Sequence, residues 1–271
     1  MADSTEALIR LTQKIERAKQ HILNVEAEWA SFSQAGGYAL RFNDDANKRE
    51  RSYYVATAEE IPPGIPLAVG DAIHNLRSSL DHIAHHLMVV GTGRPGPFEN
   101  VYFPIFGTAS KCKTGLPRKV KGMRKDAVDA IGALEPYGGG IGEILWHLHC
   151  LDIIDKHRLL LTVYGGLFAH SILPTQREQI ERNYMGSYQT QVPPDLRGFM
   201  VAANRFPIKQ GDILLTIPDS EVEQNINFTL GPAFGEPKIV YGKPVIPTLH
   251  HTMQFIRNAV LFNFQRMGLL A

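Results

Sequence analysis

The period of the hydrophobic pattern changes twice along this chain, and each change limits the fold. Up to about residue 157, apart from a stretch at about 38–58, apolar residues mostly recur every three or four positions, as in amphipathic helices. From about 158 to 247 they alternate, as in strands, and the helical period returns over 248–268. Helices that precede strands and a closing helix indicate an α+β protein with a mostly antiparallel sheet. We therefore predict a single α+β domain over residues 1–271, with long amphipathic helices packed together and against that sheet.

Local sequence patterns predict the positions of most helices and strands. Long helices are expected at about 4–33, 65–90, 141–157 and 248–268, and a shorter one within DAVDAIGALEPY. A hairpin is expected at about 38–58, around the polar turn DANKRE. The segments RLLLTVYGGLF, RGFMVAAN, DILLTIP, NINFTLGP and KIVYG read as strands. Residues 111–125 contain seven Lys or Arg and no acid, which favours a solvated loop that leads into a helix.

Composition restricts the partners and the compartment. The chain is 44% hydrophobic and 20% charged, with a net charge of +1, so its overall field attracts neither nucleic acid nor an anionic membrane. The two cysteines, Cys112 and Cys150, have no CxxC spacing, which is typical of free thiols in a reducing cytoplasm. No apolar run approaches the ~18 residues of a membrane span. We expect a cytoplasmic protein with no membrane partner.

The predicted helix at 65–90 has an unusual polar face. A helical wheel places its apolar residues on one arc, and the opposite arc holds histidine, arginine and aspartate but no Lys or Glu. Exposed helix faces normally use Lys and Glu, whereas groups that titrate near neutrality suit a cleft or an interface. Arg77 and Asp81 are spaced to pair, as are Asp81 and His85. We expect this face, with Arg77, Asp81, His82 and His85, to carry the function or to form a structural polar network.

A second predicted helix, EILWHLHCLDIIDKHRLL, supplies partners for that face. It is apolar almost all round, yet it contains His149, Asp152, Asp155 and, in its last turn, His157. Buried carboxylates need hydrogen bonds or counter-ions. We therefore expect Arg77 to reach Asp152 or Asp155, unless Asp81 takes the guanidinium first.

Three motifs resemble a family of uncharacterised bacterial proteins of similar length. These motifs are GDAIHNLRSSLDHIAHHL, LWHLHCLDIIDKHRLLL and FGEPKIVYGKPVIPTLHHTM, and the resemblance covers most of the chain from about residue 65. The resemblance brings no activity with it.

The stretch RSSLDH, in which His82 follows Arg77 after four residues, resembles the mark of HEPN-type ribonucleases. The resemblance implies a metal-independent ribonuclease that acts as a homodimer on RNA. His82 would then act as general acid or base toward the 2′-hydroxyl, and Arg77 would stabilise the charge that develops on the phosphorane. We expect no cofactor and no metal. The residues expected to bind the substrate are Asn75, Ser78, Lys119, Lys121 and Arg124.

Two other functions stay open. The histidine face could be the interface of a non-catalytic structural or partner-binding protein. It could also belong to a metal-dependent hydrolase, with His82 and either His85 or His86 joined by a ligand such as Asp152, Asp155 or His149.

Overall fold

The computed structural model describes residues 2–158, 160–171, 199–222, 226–236 and 238–270, and it confirms the α+β class. The helices are α1 (Ala2–Gln34), α2 (Gly64–Thr92), α3 (Ala109–Lys119), α4 (Lys125–Ala133), α5 (Glu143–His157), α6 (Val245–Phe255) and α7 (Phe262–Arg266). The strands are β1 (Tyr38–Asp45), β2 (Glu50–Ala58), β3 (Val163–Ser171), β4 (Phe199–Arg205), β5 (Ile213–Pro218) and β6 (Phe228–Phe234). Of the helices that these residues form, none combines the length and the apolar composition of a membrane span.

The helices share the main hydrophobic core. The apolar stripe of α1 is buried from Ile15 to Phe32, and it packs along α2, whose own apolar face is almost completely buried. Each fully buried Leu or Ile contributes about 1.5–3 kcal/mol of hydrophobic stabilisation. Burial of this kind fixes the rotation of α2, so its polar face has to point away from α1's apolar stripe.

The described strands form two antiparallel sheets, in agreement with the prediction. Their strand orders are β1-β2-β5 and β4-β3-β6. A small second core of Val55, Leu167, Ile208 and Leu214 contains residues from both sheets. The first two residues of the predicted strand RGFMVAAN, 197 and 198, lie outside the described residues.

Two local predictions are wrong. The basic segment is not a loop throughout, because α3 forms over Ala109–Lys119: the Thr108 hydroxyl caps its first turn at Lys111 N, 3.3 Å away, and Cys112 is buried. The segment KIVYG is not a strand. Lys238 and Gly242 have φ values of 66° and 73°, so the chain turns there instead of extending.

The closing helix begins at Val245 and is interrupted in its middle. Residues Ile256–Leu261 form a π-type turn between α6 and α7. Ile256, Val260 and Leu261 are buried, so the wider turn keeps apolar side chains against the core.

Candidate functional site

The candidate site lies where α2 and α5 pack side by side. Three of the residue pairs in contact show the relative direction of the helices: residue numbers rise along α2 as they fall along α5, so the helices are antiparallel. We call this line of contacts the α2–α5 seam; its pairs are Gly70 with Asp155, His74 with Asp152, and Arg77 with His149.

Arg77 forms the buried end of the seam. Its side chain is 6% exposed, and its Nη1 donates to the Asp81 carboxylate. Its Nε donates to His149 Nδ1 over 3.4 Å. Asp81 also accepts a hydrogen bond of 2.9 Å from the backbone N–H of Phe103. The guanidinium therefore has its charge compensated within the chain, and it ties α2 both to α5 and to the loop before α3.

His149 is held in its neutral form. Burial of its ring, together with the positive charges of Arg77 and Lys119, lowers its pKa to about 4. A neutral ring at pH 7 can accept the Arg77 hydrogen bond on Nδ1, which leaves the proton on Nε2. The low pKa thus allows the contact between the two helices at neutral pH.

His74 and Asp152 form a pair with a different character. His74 Nδ1 lies 3.2 Å from Asp152 Oδ1, and Lys156 Nζ lies 2.6 Å from the other carboxylate oxygen. The Asp152 side chain is 4% exposed, whereas that of His74 is 51% exposed. A neutral His74 that donates through Nδ1 keeps its lone pair on Nε2, for which the described residues supply no hydrogen-bond partner. This arrangement suits a general base.

Asp155 lies one turn further along α5. Burial raises the pKa of its carboxyl, and the negative charges of Asp152 and Asp71 raise it further. Its carboxylate rests against Gly70, where an added Cβ would come within 2.4 Å of Oδ1. The carboxyl therefore holds its proton to a higher pH than an exposed aspartate does.

His82 and His85 do not join the seam. His82 is exposed on another face of α2, where partial desolvation and the charge of Lys14 on α1 lower its pKa. His85 is half-buried, with its ring centroid 5.5 Å from that of Phe98. On an ideal helix, residues five positions apart, such as Arg77 and His82, point about 140° away from each other. The two side chains accordingly have different surroundings within one protomer.

The predicted basic residues are divided between two places. Lys119 Nζ lies 5.2 Å from the centroid of the Phe106 ring, and desolvation and the nearby charge of Arg77 lower its pKa. Lys121 is exposed, and Arg124 donates to Asp126 over 2.6 Å. Of these three cations, Lys119 is the one that acts electrostatically on the seam.

The other predicted site residues lie on the surface or beside it. Asn75 Nδ2 donates to the carbonyl of Asp71, 2.8 Å away and one turn earlier. Ser78 is half-buried on α2, and His157 is exposed at the end of α5.

The expected contact between Arg77 and Asp152 or Asp155 does not form. Asp81 binds the guanidinium, which was the stated exception, and His74 binds Asp152 instead. Within the described part of the chain, no three His, Cys, Asp or Glu side chains gather as metal ligands. The ligand set of the metal-dependent alternative is thus not assembled there.

His74 and Lys156 were not among the predicted site residues. The signal for His74 was its position three residues before Arg77, on the same arc of the wheel. The signal for Lys156 was its spacing of four residues from Asp152.

Comparisons of the chain with family models, with curated proteins and with solved structures give no match.

Proposed function

We propose that the protein is a cytoplasmic, metal-independent ribonuclease whose general base is His74. The observation that carries the proposal is the pair of a half-exposed histidine and a buried carboxylate, with Nδ1 3.2 Å from Asp152 Oδ1. A buried carboxylate that orients an accessible imidazole is the arrangement that enzymes use to abstract a proton from a hydroxyl. RNA supplies such a hydroxyl next to its own phosphodiester.

The proposed reaction is a transesterification. The RNA 2′-oxygen attacks phosphorus and forms the new P–O2′ bond, while His74 Nε2 takes the hydroxyl proton. The P–O5′ bond breaks, and the departing O5′ takes a proton from solvent water. The products are a 2′,3′-cyclic phosphate and a free 5′-hydroxyl. Lys156, 2.6 Å from Asp152, adds positive charge close to the developing phosphorane.

The HEPN-like form of this proposal assigns the chemistry to Arg77 and His82. Because these side chains lie on different faces of α2, one protomer does not bring them together. This form therefore depends on a homodimer in which a second copy completes the site.

A non-catalytic structural role is the second candidate, and one observation favours it for the Arg77 end of the seam. The Arg77 side chain is 6% exposed and already bound by Asp81 and His149, so it serves helix packing. Removing such a partner leaves buried polar groups unsatisfied, which costs about 1–3 kcal/mol.

Single-residue variants separate these hypotheses. We expect His74→Ala to lower cleavage of labelled RNA about 10²–10⁴-fold, the usual contribution of acid–base catalysis, with little change in Tm. Asp152→Asn should lower cleavage as well, but it should also lower Tm, because the buried carboxylate loses its charged bond with Lys156. His82→Ala should cleave like the wild type if His74 is the base, and it should be inactive if the HEPN-like form is correct. His157→Gln, which replaces an exposed histidine at the end of α5, is the control.

The assay is run with and without EDTA. Activity that needs a metal ion and is lost with the ion would restore the metal-dependent alternative. If the wild type cleaves none of a broad panel of RNAs and the variants only melt at lower temperature, the ribonuclease proposal is wrong and the structural role stands.

A further inference from the structure

Three aromatic side chains form a cluster on the strand-rich part of the chain. The ring centroids of Phe206 and Tyr241 are 4.9 Å apart, and those of Tyr164 and Phe206 are 5.8 Å apart, both in edge-to-face geometry. Tyr241 is 55% exposed and Tyr164 is 43% exposed, whereas Phe206 is half-buried between them. We call these three residues the aromatic platform. Its two outer rings have free surface for a ligand.

Exposed lysines lie on the two segments that carry Phe206 and Tyr241. Segments 206–211 and 238–244 contain three lysines, and Asp212, directly after the first segment, accepts from the Lys209 backbone N–H over 2.7 Å. The three lysines, Lys209, Lys238 and Lys243, are all exposed. Rings with accessible faces on segments that carry exposed lysines suit a ligand that has flat bases and a negative backbone. A purely apolar partner would gain nothing from the lysines.

The aromatic platform lies next to the end of α5 that carries the seam. Arg158, directly after α5, donates to the buried Glu236 over 2.9 Å. The neighbouring Gly235 rests against Tyr164, since an added Cβ would lie 2.7 Å from that ring. Asp152 precedes Arg158 by six residues, which is about 9 Å along a helix. A strand of a few nucleotides could therefore span the distance from His74 to Tyr164.

We propose that the aromatic platform binds single-stranded RNA by stacking bases on Tyr241 and Tyr164, a few nucleotides away from the bond that His74 cleaves. The proposal rests on the proposed ribonuclease function and specifies its substrate as single-stranded. Stacking depends on the ring rather than on the tyrosine hydroxyl, so a phenylalanine can replace either tyrosine. Lysine contacts with phosphate make the binding weaker as salt concentration rises.

The test measures binding of a fluorescently labelled single-stranded RNA to the full-length His74→Ala protein, which does not cleave it. We expect Tyr241→Ala and Tyr164→Ala each to weaken binding about 5- to 150-fold, the range for the loss of one stacked base. Tyr241→Phe should bind like the parent. Phe42→Ala is the matched control, because Phe42 is 52% exposed on the other sheet.

Two outcomes separate this proposal from the ribonuclease function. If the wild type cleaves RNA, and if Tyr241→Ala and Tyr164→Ala change neither binding in the His74→Ala protein nor cleavage in the wild-type protein, the aromatic platform has no role and the cleavage site stands. If RNA binding depends on Tyr241 and Tyr164 but no RNA is cleaved, the platform stands as a binding site and the catalytic assignment fails. Equal binding of a double-stranded RNA, insensitive to both variants, would also overturn the stacking proposal.

Discussion

The low pKa of His149 predicts an acid-sensitive stability that can be removed by one substitution. The ring has a pKa of about 4 in the folded chain, mainly because it is buried and secondly because Arg77 is close. In the unfolded chain a histidine has a pKa of about 6.5. Between these values the unfolded chain binds a proton that the folded chain does not bind. The free energy of unfolding is therefore unaffected above about pH 7 and decreases as the pH falls through 6.5 toward 4.

The size of the effect follows from the two pKa values. Lowering the pH from about 7.5 to about 5 removes about 2 kcal/mol of stability through this one group. The ring is partly exposed, and solvent screening reduces the expected loss to about 1–2 kcal/mol. His149→Gln has no titrating group and keeps an oxygen that can accept from Arg77, so it should lack this loss.

Urea unfolding of the wild type and the variant at both pH values measures the effect. Burial also lowers the pKa of His21 and His147, so the wild-type loss has several sources and only its difference from the variant reports on His149. His157→Gln, with its exposed ring, controls for the loss of a histidine from α5. If the free energy of unfolding of His149→Gln falls with pH as steeply as that of the wild type, the neutral, Arg77-bound state of His149 is refuted.

Two further predictions concern the packing of glycines in helices and a buried hydrogen bond. Gly91→Ala should destabilise the protein by about 1–2 kcal/mol although alanine favours a helix, because its Cβ would lie 2.2 Å from the Gly122 carbonyl oxygen. Gly132→Ala should instead be neutral or stabilising, because its Cβ would meet nothing closer than 3.9 Å. If urea unfolding shows that both glycine variants are destabilised, this reasoning is wrong. Glu236→Ala should cost about 1–3 kcal/mol, because the Thr162 N–H loses the carboxylate that it binds at 2.9 Å, and Glu236→Gln should cost less. Equal losses of Tm in the two Glu236 variants would show that this hydrogen bond is unimportant.

The fold was predictable from the sequence wherever a pattern repeated over many residues. The clean division of apolar and polar arcs identified α2, and the alternation after residue 157 identified the antiparallel strands. The sequence predicted the structure less well in segments where a few local interactions determine the backbone conformation. Gly115 and Pro117 have low helix propensity, yet α3 forms, because the Thr108 cap and the burial of Cys112 stabilise the helix. At Lys238, the left-handed backbone (φ 66°), which sequence patterns do not show, lies in a turn and not in a strand.

Within the candidate site, the sequence could predict only contacts between residues of the same helix. The spacing of four residues was enough to predict that Arg77 could pair with Asp81, because residues one turn apart are neighbours on any helix. Which turn of α2 meets Asp152 depends on the crossing and rotation of α2 against α5. Buried residues far from the polar face set both, so His74 could not be chosen over Arg77 from spacing alone.

The two ends of the seam depend on each other, which affects how variants of Arg77 are interpreted. Arg77 holds α2 against α5 through His149, one turn from the place where His74 meets Asp152. If this contact is lost, the two helices can shift, and a displacement of even about 1 Å is enough to impair acid–base catalysis. An Arg77 variant would therefore lose activity whether or not its guanidinium touches a phosphate. His74 is the better probe of catalysis, because its side chain is half-exposed and Asp152 keeps its bond with Lys156 when the imidazole is removed.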